Sequence, residues 1–456
     1  MKKSFKILSP CGILGYGFPI DSFLKGIEEN PDAIVVDAGS TDAGPHKLGA
    51  GVAIVSRQAA KKDLMHLVRG SIELSIPLLV GSAGGSGARK HVLWTMEILS
   101  EILKELDAEK TKVSVIWADI PKGAILNKMI EGKVTPLGMT APILTPESLD
   151  ATNGVVAQMG VEPILSALDT GAQIIICGRA YDPSPFAAVG IKAGFSPALS
   201  YHLGKILECG ALCCEPGTTK DCMIGELFED YFELYSPNKL RKCTTVSVAA
   251  HTFYEKDHPY LLHGPGIIQD LSMCEFKQIT DRKVRVSGSK LTQTDPYCIK
   301  LEGAKKTAYR TFVLAGVRDP LLIAQIEEVE ELVKESVKTQ YQEINSDDYT
   351  ISFYNYGKNG VMGELEPINK PGYELGVMFE VLAKDQETAS ALCASTRSTF
   401  LHYGYEGRKS TAGNLAFPFA PSDVDFGAVY DFSVYHLMEV DDSSEFFPLQ
   451  TWEVGQ

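Results

Sequence analysis

Pro77-Leu78-Leu79-Val80-Gly81-Ser82-Ala83-Gly84-Gly85-Ser86-Gly87, followed at once by Ala88-Arg89-Lys90-His91-Val92-Leu93-Trp94, reads as a short buried strand, a glycine turn and the start of a helix. A strand bounded by a turn and then a helix is half of a βαβ unit, and the same pattern recurs on both sides of it. Apolar runs rich in β-branched residues lie at 33–36, 77–80, 113–117, 155–159 and 173–177. Amphipathic segments at 20–29, 91–106, 121–131 and 163–167 separate them. This alternation predicts an α/β domain over residues 1–225, with a mostly parallel sheet and helices on both faces.

From residue 226 the pattern changes. Residues 244–251, 284–286 and 349–354 read as antiparallel strands, and 319–341 and 386–403 as long amphipathic helices, which predicts an α+β second domain over 226–456. No repeat or low-complexity linker separates the halves, so the expected site lies near their junction. The segment 426–438 reads as a further strand, expected at a sheet edge.

Composition narrows the function. The 456-residue chain is 45% apolar, enough for large cores, and its net charge is −15 without a dense Lys/Arg run. Nucleic acid is therefore excluded as a partner. Lys6, Pro10 and the early glycines interrupt any apolar stretch long enough for export or a membrane span, so a cytoplasmic protein with no membrane partner is expected. Ten cysteines then imply reduced thiols. Cys209, Cys213, Cys214 and Cys222 are close in sequence but lack the CxxC pairs of zinc or iron–sulfur ligation, so no metal or cluster is expected there. Cys209 follows a helical pattern and reads as packing.

The candidate site residues follow the strands. Asp37 ends one strand, and Ser40, Thr41 and Asp42 follow it. Carboxylates with hydroxyls suit a general base, a hydroxylated ligand or a divalent cation, while Asp42 equally reads as a helix cap or Asx turn. Ser82, Gly84 and Gly85 belong to a loop whose amides, with the helix start behind them, suit a carboxylate or phosphate; a tight turn without ligand is the plain alternative. Order and spacing there match neither GxGxxG nor a Walker loop. Arg179 offers a bidentate fork for an anion, with Tyr181 and Asp182 as proton-transfer groups, the rival reading being a structural Arg179–Asp182 pair. His251, at the end of the expected strand 244–250, is a natural acid or base, with Tyr254, Glu255 and Lys256 beside it; a structural histidine is the alternative. His202 is a weaker candidate of the same kind. Arg408, Ser410 and Asn414 sit in a glycine-containing loop suited to a lid or carboxylate clamp. Glu302 and Arg310 read as cross-strand charge pairing.

Several of these motifs are long. Asp37-Ala38-Gly39-Ser40-Thr41-Asp42, Gly81-Ser82-Ala83-Gly84-Gly85, Ala157-Gln158-Met159-Gly160-Val161-Glu162-Pro163 and Gly178-Arg179-Ala180-Tyr181-Asp182-Pro183 resemble the acyclic terpene utilization AtuA-like family. So do Gly204-Lys205-Ile206-Leu207-Glu208-Cys209, Ser247-Val248-Ala249-Ala250-His251-Thr252, Lys300-Leu301-Glu302-Gly303-Ala304 and Asn414-Leu415-Ala416-Phe417-Pro418-Phe419. The resemblance implies a place among proteins that break down branched or polycarboxylic acids and their CoA thioesters. It also implies a small second subunit of about a hundred residues, fused at the C-terminus in some relatives. A chain ending at Gln456 without that piece is expected to be a homo-oligomer that takes it as a separate subunit.

Together these readings predict a lyase of the hydratase or dehydratase kind, acting on a small anionic substrate: a hydroxylated or unsaturated di- or tricarboxylic acid or its CoA thioester. His251 or Asp37 would be the base and Tyr181 or Asp182 the acid; Arg179 and the glycine-loop amides would stabilise charge. Ser40, Thr41, Arg408 and Asn414 would hold substrate. No cofactor is required, with a divalent cation compatible at Asp37. The alternative is a non-catalytic subunit that binds an acyl-CoA or organic acid for a partner enzyme. A nucleotide-dependent ligase or kinase is disfavoured by the missing Walker lysine.

Overall fold

In the computed structural model, which describes residues 3–254, 257–368 and 370–453, alternate residues of the first strands feed two separate apolar clusters. Ile7, Ala33, Val35 and Leu79 belong to one, with Phe186 and Leu203; Leu8, Ile34, Val36 and Leu78 belong to the other, with Leu67 and Ile98. Each side of the sheet thus has its own core, which is why these strands read as unbroken apolar runs. The strands Phe5–Ser9, Ala33–Asp37, Leu78–Gly81, Ile174–Cys177 and Lys112–Ile116 lie side by side in this spatial order, all parallel. Val36 stands opposite Val80, and Val80 opposite Ile176, so these strands end together.

The sheet as a whole is mixed, not mostly parallel. It has ten strands. Met223–Leu227, Tyr231–Tyr235, Val284–Ser287 and Glu275–Gln278 extend one edge antiparallel, and Leu449–Glu453 closes the other. Segments beyond residue 226 therefore complete the first sheet. The strand at Gly154–Ala157 stays outside it and pairs antiparallel with Leu301–Ala304.

Two compact units result: residues 1–305 with 432–456, and residues 306–431. The sequence reading divides the chain at 225/226 instead, because strand pairing across so long a separation leaves no local signal. In the larger unit a small antiparallel sheet, Leu261–Gly264, Ile267–Asp270 and Lys290–Gln293, stands apart from the large one. Within the smaller unit the elements run β-α-β-β-α-β. The strands Tyr349–Tyr356 and Leu375–Ala383 pair antiparallel, and Leu375–Ala383 pairs with residues 309–317. The helices Ile326–Gln340 and Gln386–His402 supply Val329, Val333, Leu392 and Phe400 to that unit's core. This is the split-βαβ order.

Three local expectations change. Residues 244–251 form a helix, Thr245–Thr252, because Thr244 and Ser247 make a reciprocal capping box that overrides the β-branched run. The helix expected over 319–341 is broken at Gln325 into Pro320–Ala324 and Ile326–Gln340. Residues 426–438 lie within the strand Asp423–Val440, and its end, His436–Met438, pairs with Val134–Pro136, so that end of the stretch is not a free edge. Among the described residues, no helix is long and apolar enough to cross a membrane.

Candidate functional site

The strand ends at Asp37, Gly81 and Cys177 bring their following loops together, and Arg179 is the centre of what they build. It is 1% exposed and all its nitrogens are engaged. Nε donates to Glu302 Oε2 at 3.1 Å; Nη1 donates to Ser82 Oγ at 2.9 Å, Ala180 O at 3.0 Å and Asp182 Oδ1 at 2.8 Å. Nη2 donates to Thr41 Oγ1 at 2.9 Å. Burial works against the guanidinium charge, but Glu302 and Asp182 outweigh it and raise its pKa further. Glu302 also accepts from Thr41 Oγ1 at 2.6 Å, Gln158 Nε2 at 3.1 Å and the ammonium of Lys300 at 3.1 Å. Burial alone would push its carboxyl up; Arg179 and Lys300 instead hold it down to about 2.

Beside this pair, carboxylate oxygens of Asp37, Asp182 and Glu208 lie within 4.8 Å of one another. Asp37 ends its strand and accepts from the amide of Ala38 at 2.8 Å; Glu208 follows the helix Pro197–Leu207 and pairs with Lys205 at 2.7 Å. Burial first, and then the neighbouring Asp182, raise the carboxyl pKa of Asp37 well above the usual carboxylate range. Burial likewise raises Glu208, opposed by Lys205. Like charges this close do not all ionise, so the cluster keeps a proton where isolated carboxylates have lost theirs. Burial is offset at Lys205 by Glu208, and the ammonium is held more tightly than usual. The oxygen donors also suit a hard divalent cation. Arg179 and Lys205 already supply positive charge there, so such an ion would compete with both.

A cavity of about 820 Å³ opens onto these groups, a size suited to a small organic ligand. Thr41, Tyr181, Asp182, Lys205, Lys300 and Tyr435 are among its walls, with Ser40 at the same opening. All are in the larger unit, drawn from both sides of residue 225. Lys300 sits 4.4 Å over the Tyr435 ring. Tyr181 is half-buried, and its loss of solvent raises its pKa and leaves it a neutral hydroxyl at physiological pH.

The structure thus brings Asp37, Ser40, Thr41, Ser82, Arg179, Tyr181 and Asp182 together, with altered roles. Arg179 does not line the cavity; its fork is spent on Glu302, Ser82, Thr41 and Asp182, so the structural pair and the charged site are one network. The glycine loop is tightly packed. A Cβ on Gly87 would stand 2.1 Å from the Arg179 amide, and one on Gly84 2.8 Å from His91 Cβ, so close packing accounts for these glycines. Gly84 and Gly85 are absent from the cavity walls. Asp119 Oδ1 accepts from the Arg89 amide at 3.0 Å, serving the helix start that an anion would need.

The other candidates lie elsewhere. His251 is buried on the helix Thr245–Thr252, stacked on Tyr254, and does not line the cavity. His202 is held by the hydroxyls of Ser289 and Thr252, a core arrangement. Arg408 and Asn414 belong to the smaller unit, where Arg408 Nε donates to Asn414 Oδ1 at 2.8 Å beside a separate cavity of about 780 Å³. Arg310 pairs with Glu380, not with Glu302. The side chain of Asp42 and residues Glu255 and Lys256 lie outside the described residues.

Sequence reasoning missed Glu302, Lys300, Lys205, Glu208 and Gln158 as site residues. Composition and periodicity give no sign of them, since Lys205 and Glu208 look like the polar positions of a helix end and Lys300 and Glu302 like those of a strand. All five fall inside stretches quoted above as family-like, and charged residues within such stretches were the available signal.

A family model described as acyclic terpene utilisation family protein AtuA matches residues 77–227 and 236–419. No curated protein and no solved structure matches the chain.

Proposed function

The chain belongs to the acyclic terpene utilisation AtuA family, and we propose that it is a lyase that adds or removes water next to a carboxylate or thioester carbonyl, working in the cavity of the larger unit. The observation that carries this reading is the group of three carboxylates, Asp37, Asp182 and Glu208, within 4.8 Å of one another beside a cavity with two lysines in its wall. Elimination of water needs a base for the proton next to the carbonyl, an acid for the departing hydroxyl, and positive charge for the developing enolate. Asp182, ion-paired and open to the cavity, is the base. The proton that the cluster keeps behind it, and the neutral hydroxyl of Tyr181, supply the acid. Lys205 and Lys300 bind the substrate's negative groups, a role that passes to them because Arg179 has no donor left for a ligand. The reading takes a small hydroxylated or unsaturated di- or tricarboxylic acid, or the acyl end of its CoA thioester.

The test is a thermal-shift screen of the full chain against organic acids and acyl-CoA thioesters, followed by proton NMR of each ligand that stabilises it. Water gained or lost by a ligand supports the proposal. Binding with no turnover, alone or with a small second subunit, supports instead a chain that only holds the ligand for a partner enzyme.

A further inference from the structure

Away from the cavity, the thiols of Cys213, Cys214 and Cys243 converge, all within 4.8 Å of one another and all buried. Cys243, from a distant segment, takes the place of Cys209 and Cys222 in the cysteine run of the sequence. Metal–sulfur bonds of about 2.3 Å around one ion place thiolate sulfurs about 4 Å apart. The Sγ atoms of Cys214 and Cys243 are 3.7 Å apart. We propose that Cys213, Cys214 and Cys243 form a three-thiolate site for one soft metal ion of the Cu(I) class.

The surroundings select that class. The thioether of Met223 lies against the group, its Sδ 3.3 Å from Cys214 Sγ. Thiolates with a thioether favour Cu(I), whereas a structural zinc ion completes a tetrahedron with a fourth thiolate, imidazole or carboxylate. The two segments already meet through Arg241, which donates to Asp221 and the Pro216 carbonyl, and through Thr244 on Glu215. Glu215 and Lys242 exchange a pair of backbone hydrogen bonds at 2.8 and 3.3 Å. An ion bound by Cys213, Cys214 and Cys243 would staple them, and its binding would add directly to stability.

The experiment uses the full reduced chain, stripped of metal, without oxygen. Cu(I) is offered from a chromophoric chelate, the protein is desalted, and copper is counted while the melting temperature is read. One retained equivalent, a thiolate-to-metal absorption band and a higher melting temperature are expected, all kept in Cys209→Ser and Cys222→Ser. All three are lost in Cys243→Ser; should that variant fail to fold, Cys213→Ser decides. No retained copper overturns the proposal, as does retention unchanged in Cys213→Ser and Cys243→Ser. Zinc retained in preference to copper in direct competition overturns the assignment to a soft ion.

Discussion

Glu302 accepts from Arg179 Nε at 3.1 Å across 123 residues of sequence, and both side chains are buried. The pair joins the strand at 301–304 to the loop after Ile174–Cys177, and through Asp182 it reaches the carboxylate cluster. Positioning is its role, because neither partner faces the cavity.

Arg179→Ala is expected to destabilise the fold by about 3–5 kcal/mol, since it leaves Glu302 buried with its main counter-ion gone. Arg179→Lys should recover little, as an ammonium cannot serve Glu302, Ser82, Thr41 and Asp182 at once. Denaturant midpoints read both. A double variant Arg179→Met/Glu302→Met should be far more stable than Arg179→Ala. A stable Arg179→Ala protein lacking only ligand binding would instead make Arg179 a substrate clamp.

pH dependence separates the two kinds of carboxyl. Glu302, held down to about 2 from 4.5, contributes stability that is present above its ordinary pKa and lost as pH falls toward 2. Asp37 is shifted the other way. The folded state binds its proton more tightly than the unfolded chain, so stability declines as pH rises above the ordinary carboxylate range toward the folded value. Asp37→Asn should therefore raise stability at and above neutral pH and flatten that decline, while leaving the acid limb set by Glu302. Urea unfolding from pH 2 to pH 9 checks this; parallel curves for both proteins would contradict it.

Much of the fold was legible because its signals are local. Strands buried on both faces, such as Ala33–Asp37 and Leu78–Gly81, announce themselves as β-branched runs before glycine turns. Of the later strands that finish the same sheet, 284–286 could be read as a strand, but nothing local assigns it to this sheet, because the edges attach only through Met223–Leu227 on Phe5–Ser9 and Leu449–Glu453 on Lys112–Ile116, segments far apart in sequence. At the site, Asp37, Tyr181 and Asp182 could be found from their position after a strand. Lys205, Glu208, Lys300 and Glu302 could not, since only the tertiary fold brings a helix end and a distant strand to those loops. His251 misled for a local reason instead: its strand-like neighbours obey a capping box.

The glycine loop should prove intolerant for steric reasons. Gly87 has φ +63°, and a Cβ there would meet the Arg179 amide at 2.1 Å, so Gly87→Ala should cost roughly 2 kcal/mol or more. Gly123, with open space around its Cβ position in the helix Lys122–Ile130, should accept alanine with a gain of up to about 1 kcal/mol. Thermal melts of the two variants test the contrast. Equal effects would mean that the loop is looser than the structure shows.

Lys300 is the cation to remove when asking about ligand alone. Its side chain is 16% exposed, lines the cavity, and leaves Arg179 on Glu302 when deleted. Lys300→Ala should weaken binding of an anionic ligand by about tenfold or more with little change in melting temperature. Lys300→Arg should restore part of it. Titration calorimetry with the best acid from the screen gives the answer; unchanged affinity would place the ligand's charge elsewhere.

The most direct measurement is exchange of substrate protons with solvent. The full chain is incubated in D2O with each acid or thioester that stabilises it, and loss of the proton next to the carbonyl is followed by NMR. Exchange with at least one of these ligands is expected, falling by about 10²–10⁴-fold in Asp182→Asn while the thermal shift by that ligand persists. Ligands that bind without any exchange, or exchange undiminished in Asp182→Asn, would contradict the assignment of proton transfer to the carboxylate cluster.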